Sequence, residues 1–268
     1  MESSYYFSVL VSGAVRIRVL GAFGGEGLGH RPSAFLINDH TLLDGGTVSG
    51  ALTVPEQLSI EQALISHSHL DHVAGLVYLT ETLGFCETGA AVTISSVDPV
   101  VNTLRAGVFN NILWPDFTKI PHADVPVVKY RTLVDDVEQR VGDLWVTPIA
   151  VSHTVPTVGF IVHDGSTGLI YSGDTGPTSA LWQAARGLRG LRAVILECAF
   201  PNRLGPLAAI AKHMTPSLIE RELDKLAPEV PVWIFHVKPQ FEEEIAEELG
   251  RVGSGRVSLL EQDRVYSI

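Results

Sequence analysis

The segment His67–His72, with the sequence HSHLDH, contains three histidines and one aspartate within six residues. Imidazole nitrogens and carboxylate oxygens are common zinc ligands. Alternate side chains of an extended chain point to the same side, so His67 and His69 can share one ion. Asp71 and His72 fall where the chain turns into a helix, and they can reach a second position nearby. The segment therefore predicts a site for two zinc-type ions.

Three more residues of metal-ligand type stand directly after apolar runs that are typical of buried strands. They are His153, Asp174 and His236, which follow residues 147–152, 169–173 and 232–235, respectively. Taken singly, each is also compatible with an ordinary turn or cap residue. Because all three end runs that belong in a core, we expect them to meet the HSHLDH segment at one rim of the sheets. Active sites commonly form at such rims.

A second candidate pair, Glu197 and His213, lies outside these motifs. Glu197 ends an apolar strand, and His213 precedes Thr215 and Pro216, which are residues typical of a helix start. A carboxylate beside an imidazole fixes its tautomer and raises its pKa, which suits a general acid. Two alternatives stay open: His213 as a surface loop residue, and Glu197 as a structural carboxylate bound by backbone donors.

The apolar periodicity predicts the elements that must position these residues. Strands are expected at about 15–20, 33–38, 41–44, 62–66, 91–97, 127–133, 137–141, 144–151, 158–163, 169–172, 193–197, 232–236 and 257–260. Helices are expected at 71–83, from an N-cap at Asp98 to Asn110, and at 178–186, 216–226 and 242–249. Each half of the chain therefore begins with several predicted strands and ends with predicted helices. Two sheets packed face to face with helices outside, an α/β sandwich, would bury these runs within one domain of residues 1–268.

Residues 107–128 are less regular and combine prolines with aromatic residues, so they predict an ordered loop or lid. Asn111, Trp114 and Phe117 in this stretch, and Arg203 further along the chain, are candidates for substrate contacts. The aromatic residues also suit packing or a dimer contact.

Charge and composition restrict the ligand. The 268 residues carry a formal net charge of −11, and proteins that grip a long polyanion usually show a basic surface. A large nucleic acid is therefore disfavoured, whereas a small anion held by metal ions is compatible. No apolar run is long enough for a membrane span, and the N-terminus lacks the positive region of a secretory signal. These features predict a cytoplasmic protein, with a periplasmic location left open.

The order of the motifs HSHLDH, SHT, SGDTG and FHVKP resembles the metallo-β-lactamase superfamily. Members of that superfamily bind one or two metal ions between the two sheets of a four-layer αββα sandwich. The resemblance implies a first metal held by His67, His69 and His153, a second held by Asp71, His72 and His236, and Asp174 bridging the two.

The longer matches HSHLDHVAGL, SHTVPTVGF, YSGDTGPT, LECAFPNR, HMTP and FHVKP resemble the class II cyclic nucleotide phosphodiesterases. This resemblance implies hydrolysis of cyclic AMP or cyclic GMP to the 5′-nucleotide by a hydroxide that bridges two Zn²⁺ ions, with Mn²⁺ or Fe as alternatives in one site. Asp71 would act as the base, and His213 with Glu197 as the acid. With a nucleotide substrate, the candidate contacts to the purine are Asn111, Trp114 and Phe117, and the candidate contact to the phosphate is Arg203. A homodimer is left open.

Other functions of the same fold remain as alternatives. A transfer RNA 3′-processing phosphodiesterase would need an RNA-binding arm and a positive surface, neither of which is evident in this acidic sequence. A lactonase or β-lactamase-like hydrolase would need no acid at His213. A metal-bearing module without hydrolysis would be expected to have a disrupted ligand set, whereas the set here is complete.

Overall fold

The fold is taken from a computed structural model that describes residues 15–188, 190–252 and 255–268. The N-terminal stretch used for the expectation about location, residues 1–14, lies outside this range. The strands of the described residues form two seven-stranded sheets and one short hairpin.

The first sheet has the strand order β16-β1-β2-β3-β4-β5-β8. Its strands are β1 (Arg16–Gly21), β2 (Ala34–Ile37), β3 (Thr41–Gly45), β4 (Gln62–Leu64), β5 (Val92–Val97), β8 (Val128–Leu133) and β16 (Val265–Ser267). The strands from β3 to β8 pair in parallel, whereas β16, β1, β2 and β3 pair antiparallel. The carboxyl ends of the parallel strands therefore share one edge.

The second sheet has the order β15-β14-β13-β12-β11-β10-β9. Its strands are β9 (Gln139–Val141), β10 (Leu144–Ala150), β11 (Val158–His163), β12 (Gly168–Tyr171), β13 (Leu191–Glu197), β14 (Val232–Phe235) and β15 (Val257–Leu259). Here β12 to β15 are parallel, and β9 to β12 are antiparallel. The separate hairpin consists of β6 (Pro121–His122) and β7 (Val125–Pro126).

The helices lie beside both sheets. They are α1 (Val54–Leu58), α2 (Leu70–Phe85), α3 (Asp98–Gly107), α4 (Ala180–Ala185), α5 (Gly205–Ala211), α6 (Pro216–Leu223) and α7 (Glu242–Leu249). On the first sheet, α2 packs with β3, and α3 packs with β5 and β8, while α1 packs with α2. On the second sheet, α4 packs with β10 and α7 with β15. None of the helices in the described residues combines the length and apolar character that a bilayer span requires.

Buried aromatic residues join the inner faces of the two sheets. The ring of Phe35 on β2 lies 5.6 Å from that of Tyr171 on β12 and 5.5 Å from that of Phe235 on β14. Outside the second sheet, Val194 and Ile234 pack with Ile219 of α6 in a separate apolar cluster. Strands covered on both faces read as continuous apolar runs rather than alternating ones. The predicted αββα sandwich is confirmed.

The sequence misplaced or missed the shortest elements. Asp98 is the first residue of α3, not its N-cap, which is Val97, and the helix ends at Gly107 rather than Asn110. α1, α5 and β16 were not predicted, because elements of three to seven residues hold too few positions for a recognisable period. α6 also ends earlier than expected, at Leu223.

The segment 107–128 is anchored in the core. Phe109 and Phe117 are buried within the main apolar cluster, whereas Ile112 and Leu113 between them are exposed. The segment thus has fixed flanks and an exposed tip. Its role as a lid stays a prediction.

Candidate active site

Strand ends from both sheets bring the candidate ligands to one edge. In the second sheet, Asp174 lies three residues after β12, Glu197 ends β13, and His236 directly follows β14. These three strands are parallel, so their carboxyl ends meet. In the first sheet, β4 leads to His67, and His69 stands at the N-cap position of α2. The site therefore lies between the sheets.

One group of four side chains surrounds a common point. The ligand-type atoms of His67, His69, His153 and Asp174 all lie within 4.8 Å of one another. Oδ2 of Asp174 is 3.6 Å from Nε2 of His67 and 3.8 Å from Nε2 of His153. Nε2 of His153 is 3.3 Å from Nδ1 of His69. The structure brings together the residues expected to hold a first metal.

A second group lies beside the first. Asp71, His72 and His236 also place their ligand-type atoms within 4.8 Å of one another. Asp174 faces this group too, because its Oδ1 is 3.2 Å from Nε2 of His72 and its Oδ2 is 3.1 Å from Nε2 of His236. Nε2 of His236 is 3.8 Å from Oδ2 of Asp71. Asp174 thus lies between the two groups, as a bridging ligand would.

The chemistry of these atoms fits a divalent metal ion. Nε2 of His67, His72 and His236 and Oδ1 of Asp174 are buried and have no hydrogen-bond partner among the described residues. Buried polar atoms of this kind are rare unless an ion or water satisfies them. Burial also lowers the pKa of His153 to about 4, which keeps its imidazole in the neutral form that binds metals.

Asp44, which was not predicted as a site residue, forms hydrogen bonds with the candidate ligand His72 and with residues next to the ligands. It accepts hydrogen bonds from the backbone N–H and the hydroxyl of Ser66, both at 2.7 Å, and from the hydroxyl of Tyr171 at 2.5 Å. Nδ1 of His72 donates to it at 2.7 Å, which leaves Nε2 of His72 for the metal. Asp44 precedes Gly45 and Gly46, so in sequence it resembles an ordinary turn residue.

Two other ligands are oriented in a similar way. Nδ1 of His236 lies 3.3 Å from the hydroxyl of Ser33, and Nδ1 of His153 donates to the carbonyl of Lys212 at 3.3 Å. The ammonium of Lys212 donates in turn to the carbonyl of His153 at 2.7 Å. These contacts direct Nε2 of both rings towards Asp174.

Glu197 and His213 form a buried pair next to the ligands. Nδ1 of His213 donates to Oε1 of Glu197 at 2.8 Å, and the backbone N–H groups of Thr175 and Met214 donate to the same carboxylate. Burial alone would lower the pKa of His213, but the Glu197 carboxylate raises it above its usual value. The ring of His213 stacks on that of His236 at 5.3 Å. The alternative of an exposed loop histidine is wrong, because His213 is only 8% exposed.

Lys238 is a second residue that the sequence analysis left without a role. Its ammonium donates to the carbonyl of Gly24 and lies 3.8 Å from Oδ2 of Asp71. Its side chain is one-quarter exposed, so it can reach a bound anion. Its position in the FHVKP motif, two residues after the candidate ligand His236, could have indicated that Lys238 lies at the site.

Two of the four predicted substrate contacts have structural roles instead. Phe117 is 1% exposed and belongs to the core, so the prediction that its ring stacks on a purine is wrong. The side-chain oxygen of Asn111 accepts from the backbone N–H of Asp116 at 2.8 Å, and its φ of 63° is one that asparagine tolerates. Asn111 therefore stabilises the turn in which it lies.

The other two predicted substrate contacts, Trp114 and Arg203, already interact with other residues of the protein. Trp114 packs against the core, and its ring lies 6.0 Å from that of Tyr78. The guanidinium of Arg203 donates to both carboxylate oxygens of Glu244, at 2.8 and 3.0 Å, and covers the ring of Phe241. A phosphate could reach Arg203 only in competition with Glu244.

The fold and the two ligand groups define a metal-dependent hydrolase architecture, and the chain belongs to the beta-lactamase superfamily. Residues 49–236 match the family described as the beta-lactamase superfamily domain. Among curated proteins, a probable 3′,5′-cyclic-nucleotide phosphodiesterase of Yersinia pestis is 25% identical over 88% of this chain and 82% of its own length. A 3′,5′-cyclic-nucleotide phosphodiesterase of Aliivibrio fischeri is 27% identical over 80% of this chain and 76% of its own length.

A solved structure shows the same fold over nearly the whole chain. Unliganded yeast PDE1 superposes with a TM-score of 0.79 at 19% identity, covering 94% of this chain and 99% of the yeast chain. Together with the family match, this confirms the resemblance to the metallo-β-lactamase superfamily that the motifs predicted. The family and the ligand set support hydrolysis with a bound divalent metal.

Proposed function

We propose that this protein hydrolyses 3′,5′-cyclic nucleotides, cyclic AMP or cyclic GMP, to 5′-nucleotides with the help of two Zn²⁺ ions. The observation that carries the proposal is that the Glu197–His213 pair lies next to the two adjoining ligand groups. The similarity to relatives described as cyclic-nucleotide phosphodiesterases supports the choice of substrate. Mn²⁺ or Fe is an alternative in one of the two sites.

One ion would be held by His67, His69 and His153, and the other by Asp71, His72 and His236. Asp174 would contact both ions. When bound, such ions lower the pKa of water to about 7 and neutralise the charge that develops on a phosphate in the transition state. Asp71 lies at the open side of its group, with its side chain one-quarter exposed. It is our candidate for the residue that orients the attacking water and accepts its proton.

His213 would donate a proton to the leaving group. Water adds to phosphorus, the bond from phosphorus to the 3′-oxygen breaks, and that oxygen takes the proton from Nε2 of His213. Nδ1 of His213 is engaged by Glu197, which fixes the tautomer and favours the protonated ring. An alkoxide is a poor leaving group, so this proton is worth about 10²–10⁴-fold in rate.

Lys238 would hold a phosphate oxygen. Its ammonium is anchored on the carbonyl of Gly24, beside Asp71 and on the exposed side of the ligand groups. A cation at this position adds positive charge to a site that already binds metal ions.

A substrate panel tests the proposal. The metal-loaded protein is incubated with cyclic AMP, cyclic GMP, bis(4-nitrophenyl) phosphate, a lactone and a precursor transfer RNA. We expect turnover of the cyclic nucleotides and of the nitrophenyl diester. Hydrolysis of the lactone without any phosphodiester would support the lactonase alternative, and cleavage of the RNA alone would support the RNA-processing alternative.

A further inference from the structure

A groove beside the metal-ligand residues is not used by the chemistry above. It has a volume of about 190 Å³ and is formed by three segments of the chain. They are Glu26 of the β1–β2 connection, residues 46–50 after β3, and Ala74, Gly75 and Tyr78 of α2.

The groove adjoins the second ligand group on two sides. Gly46 in its wall touches the backbone of Asp71 so closely that a Cβ at position 46 would lie 2.0 Å from the Asp71 carbonyl oxygen. On the other side, Glu26 comes two residues after Gly24, where a Cβ would lie 2.7 Å from the ring of His236. A substrate whose phosphate is held between the ligand groups can therefore extend into the groove.

Tyr78 supplies an exposed aromatic ring at the rim of the groove, being 59% exposed. It follows Asp71 by seven residues, so it lies on the same face of α2, about 10 Å further along the helix axis. Helical side chains lean towards the N-terminus, which brings the Tyr78 ring back towards Asp71. Trp114, packed on the core, contacts this ring at 6.0 Å and limits its movement.

The lining of the groove suits an uncharged group. Glu26 is its only charged residue, and Thr47 and Ser49 add hydroxyls. A phosphate would be repelled by Glu26 and attracted instead to Lys238 and to metal ions held by the ligand groups. The volume is below the roughly 300 Å³ of sites that enclose a whole ligand, so the groove has room for one part of a substrate.

We infer that this groove binds the base of the cyclic nucleotide and that Tyr78 is the surface on which the base stacks. Every nucleobase presents a π-face, so an exposed tyrosine ring that packs against Trp114 can stack on a nucleobase without selecting a particular one. The inference rests on the proposed function, because it assigns the nucleoside end of the same substrate. It also replaces Phe117, which is buried, as the aromatic contact.

Paired ligands test the assignment. The product-like ligands 5′-AMP and ribose 5-phosphate differ only by the base, so their dissociation constants from the zinc-loaded protein are compared by calorimetry. We expect Tyr78→Ala to weaken 5′-AMP by about 10- to 100-fold, the range that stacking gives on alanine substitution, and ribose 5-phosphate by less than about twofold. Tyr78→Phe should bind 5′-AMP like the parent protein, because it keeps the ring.

A matched control is Phe85→Ala, which removes another exposed aromatic ring of α2, one that does not line the groove. It should leave both dissociation constants unchanged. Equal weakening of 5′-AMP and ribose 5-phosphate by Tyr78→Ala, or no weakening of either, would overturn the groove assignment while turnover of cyclic nucleotides persists. A parent protein that neither turns over cyclic nucleotides nor binds 5′-AMP would overturn the proposed function as well.

Discussion

At the scale of single residues, the proposed phosphodiesterase and a simpler metal hydrolase differ in their need for His213. Its contact with Glu197 is buried, and it lies against the ligand rings of His153 and His236. A lactone opens without a strong need for a proton at this position. A cyclic phosphodiester expels an alkoxide and does need one.

We predict that His213→Ala slows cyclic AMP hydrolysis by about 10²–10⁴-fold and bis(4-nitrophenyl) phosphate hydrolysis by much less. The nitrophenolate group leaves without protonation, so it does not need the acid. Steady-state kcat for the two substrates measures the difference. His163→Ala, which removes a histidine paired with Glu138 at the surface, is the control and should change neither rate. Equal losses for both substrates in His213→Ala would argue against an acid role.

Asp44 would support a bound metal ion without touching it, because it accepts a hydrogen bond from the candidate ligand His72. We predict that Asp44→Asn weakens zinc affinity by about 10- to 100-fold, because the amide cannot accept all the hydrogen bonds from Ser66, His72 and Tyr171. Competition with a chromophoric chelator measures the affinity. Asp143→Asn, at an exposed carboxylate near His40, serves as the control. Unchanged zinc affinity in Asp44→Asn would contradict this role.

At the scale of elements, the packing of α2 on β3 fixes the position of Asp71 and His72 relative to Asp44. Gly75 makes this close approach possible: a Cβ there would lie 2.7 Å from the backbone nitrogen of Val48 and 2.8 Å from the carbonyl oxygen of Gly45. Both are backbone atoms, so a side-chain rearrangement cannot relieve the overlap. The helix that carries Asp71 and His72 would have to move.

Gly75→Ala should therefore destabilise the protein by about 1–3 kcal/mol, although alanine favours a helix over glycine by about 1 kcal/mol. Urea unfolding measures the free energy. Gly107→Ala, at the end of α3, is the matched control, because a Cβ there meets nothing within 4 Å. We expect the control to be neutral or slightly stabilising. If both variants behaved alike, the tight packing of α2 would not limit stability.

The sequence predicted long elements and strand-end ligands well, because both depend on local patterns. Apolar runs covered on both faces marked β12, β13 and β14, and the residues after them proved to converge. Contacts made by tertiary packing were not visible. Phe117 and Tyr78 are both aromatic residues near an irregular segment, yet only the fold shows that the first is buried and the second exposed. Asp44 was missed for the same reason.

At the scale of the whole molecule, the charge of −11 and the positions of the cations support a small substrate. Long polyanions are held mainly by arrays of lysine and arginine. Here Arg16, Arg18, Arg31 and Arg203 are each paired with a carboxylate. Lys238, whose ammonium is 3.8 Å from the Asp71 carboxylate, lies beside the ligand groups, where one phosphate, rather than a backbone of many, would reach it.

The two sheets are joined at the active site by residues from both. His67, His69, Asp71 and His72 belong to the half of the chain that forms the first sheet, whereas His153, Asp174 and His236 belong to the second. Nε2 of His67, His72 and His236 and Oδ1 of Asp174 are buried with no hydrogen-bond partner in the described part of the chain. Bound metal ions would satisfy these atoms and hold the two sheets together, so metal binding should be coupled to the stability of the whole fold.

We predict that zinc at 100 times its dissociation constant stabilises the fold by about 2.7 kcal/mol per site, which raises Tm by roughly 5–10 °C over the chelated protein. Calorimetric scans with zinc or with EDTA measure the shift. Asp174→Asn should lose most of it, because Asp174 faces both groups, whereas His163→Ala should keep it in full. If the shift were the same in Asp174→Asn as in the parent, zinc would bind elsewhere. The carboxylate at the centre of the site would then have no part in joining the sheets.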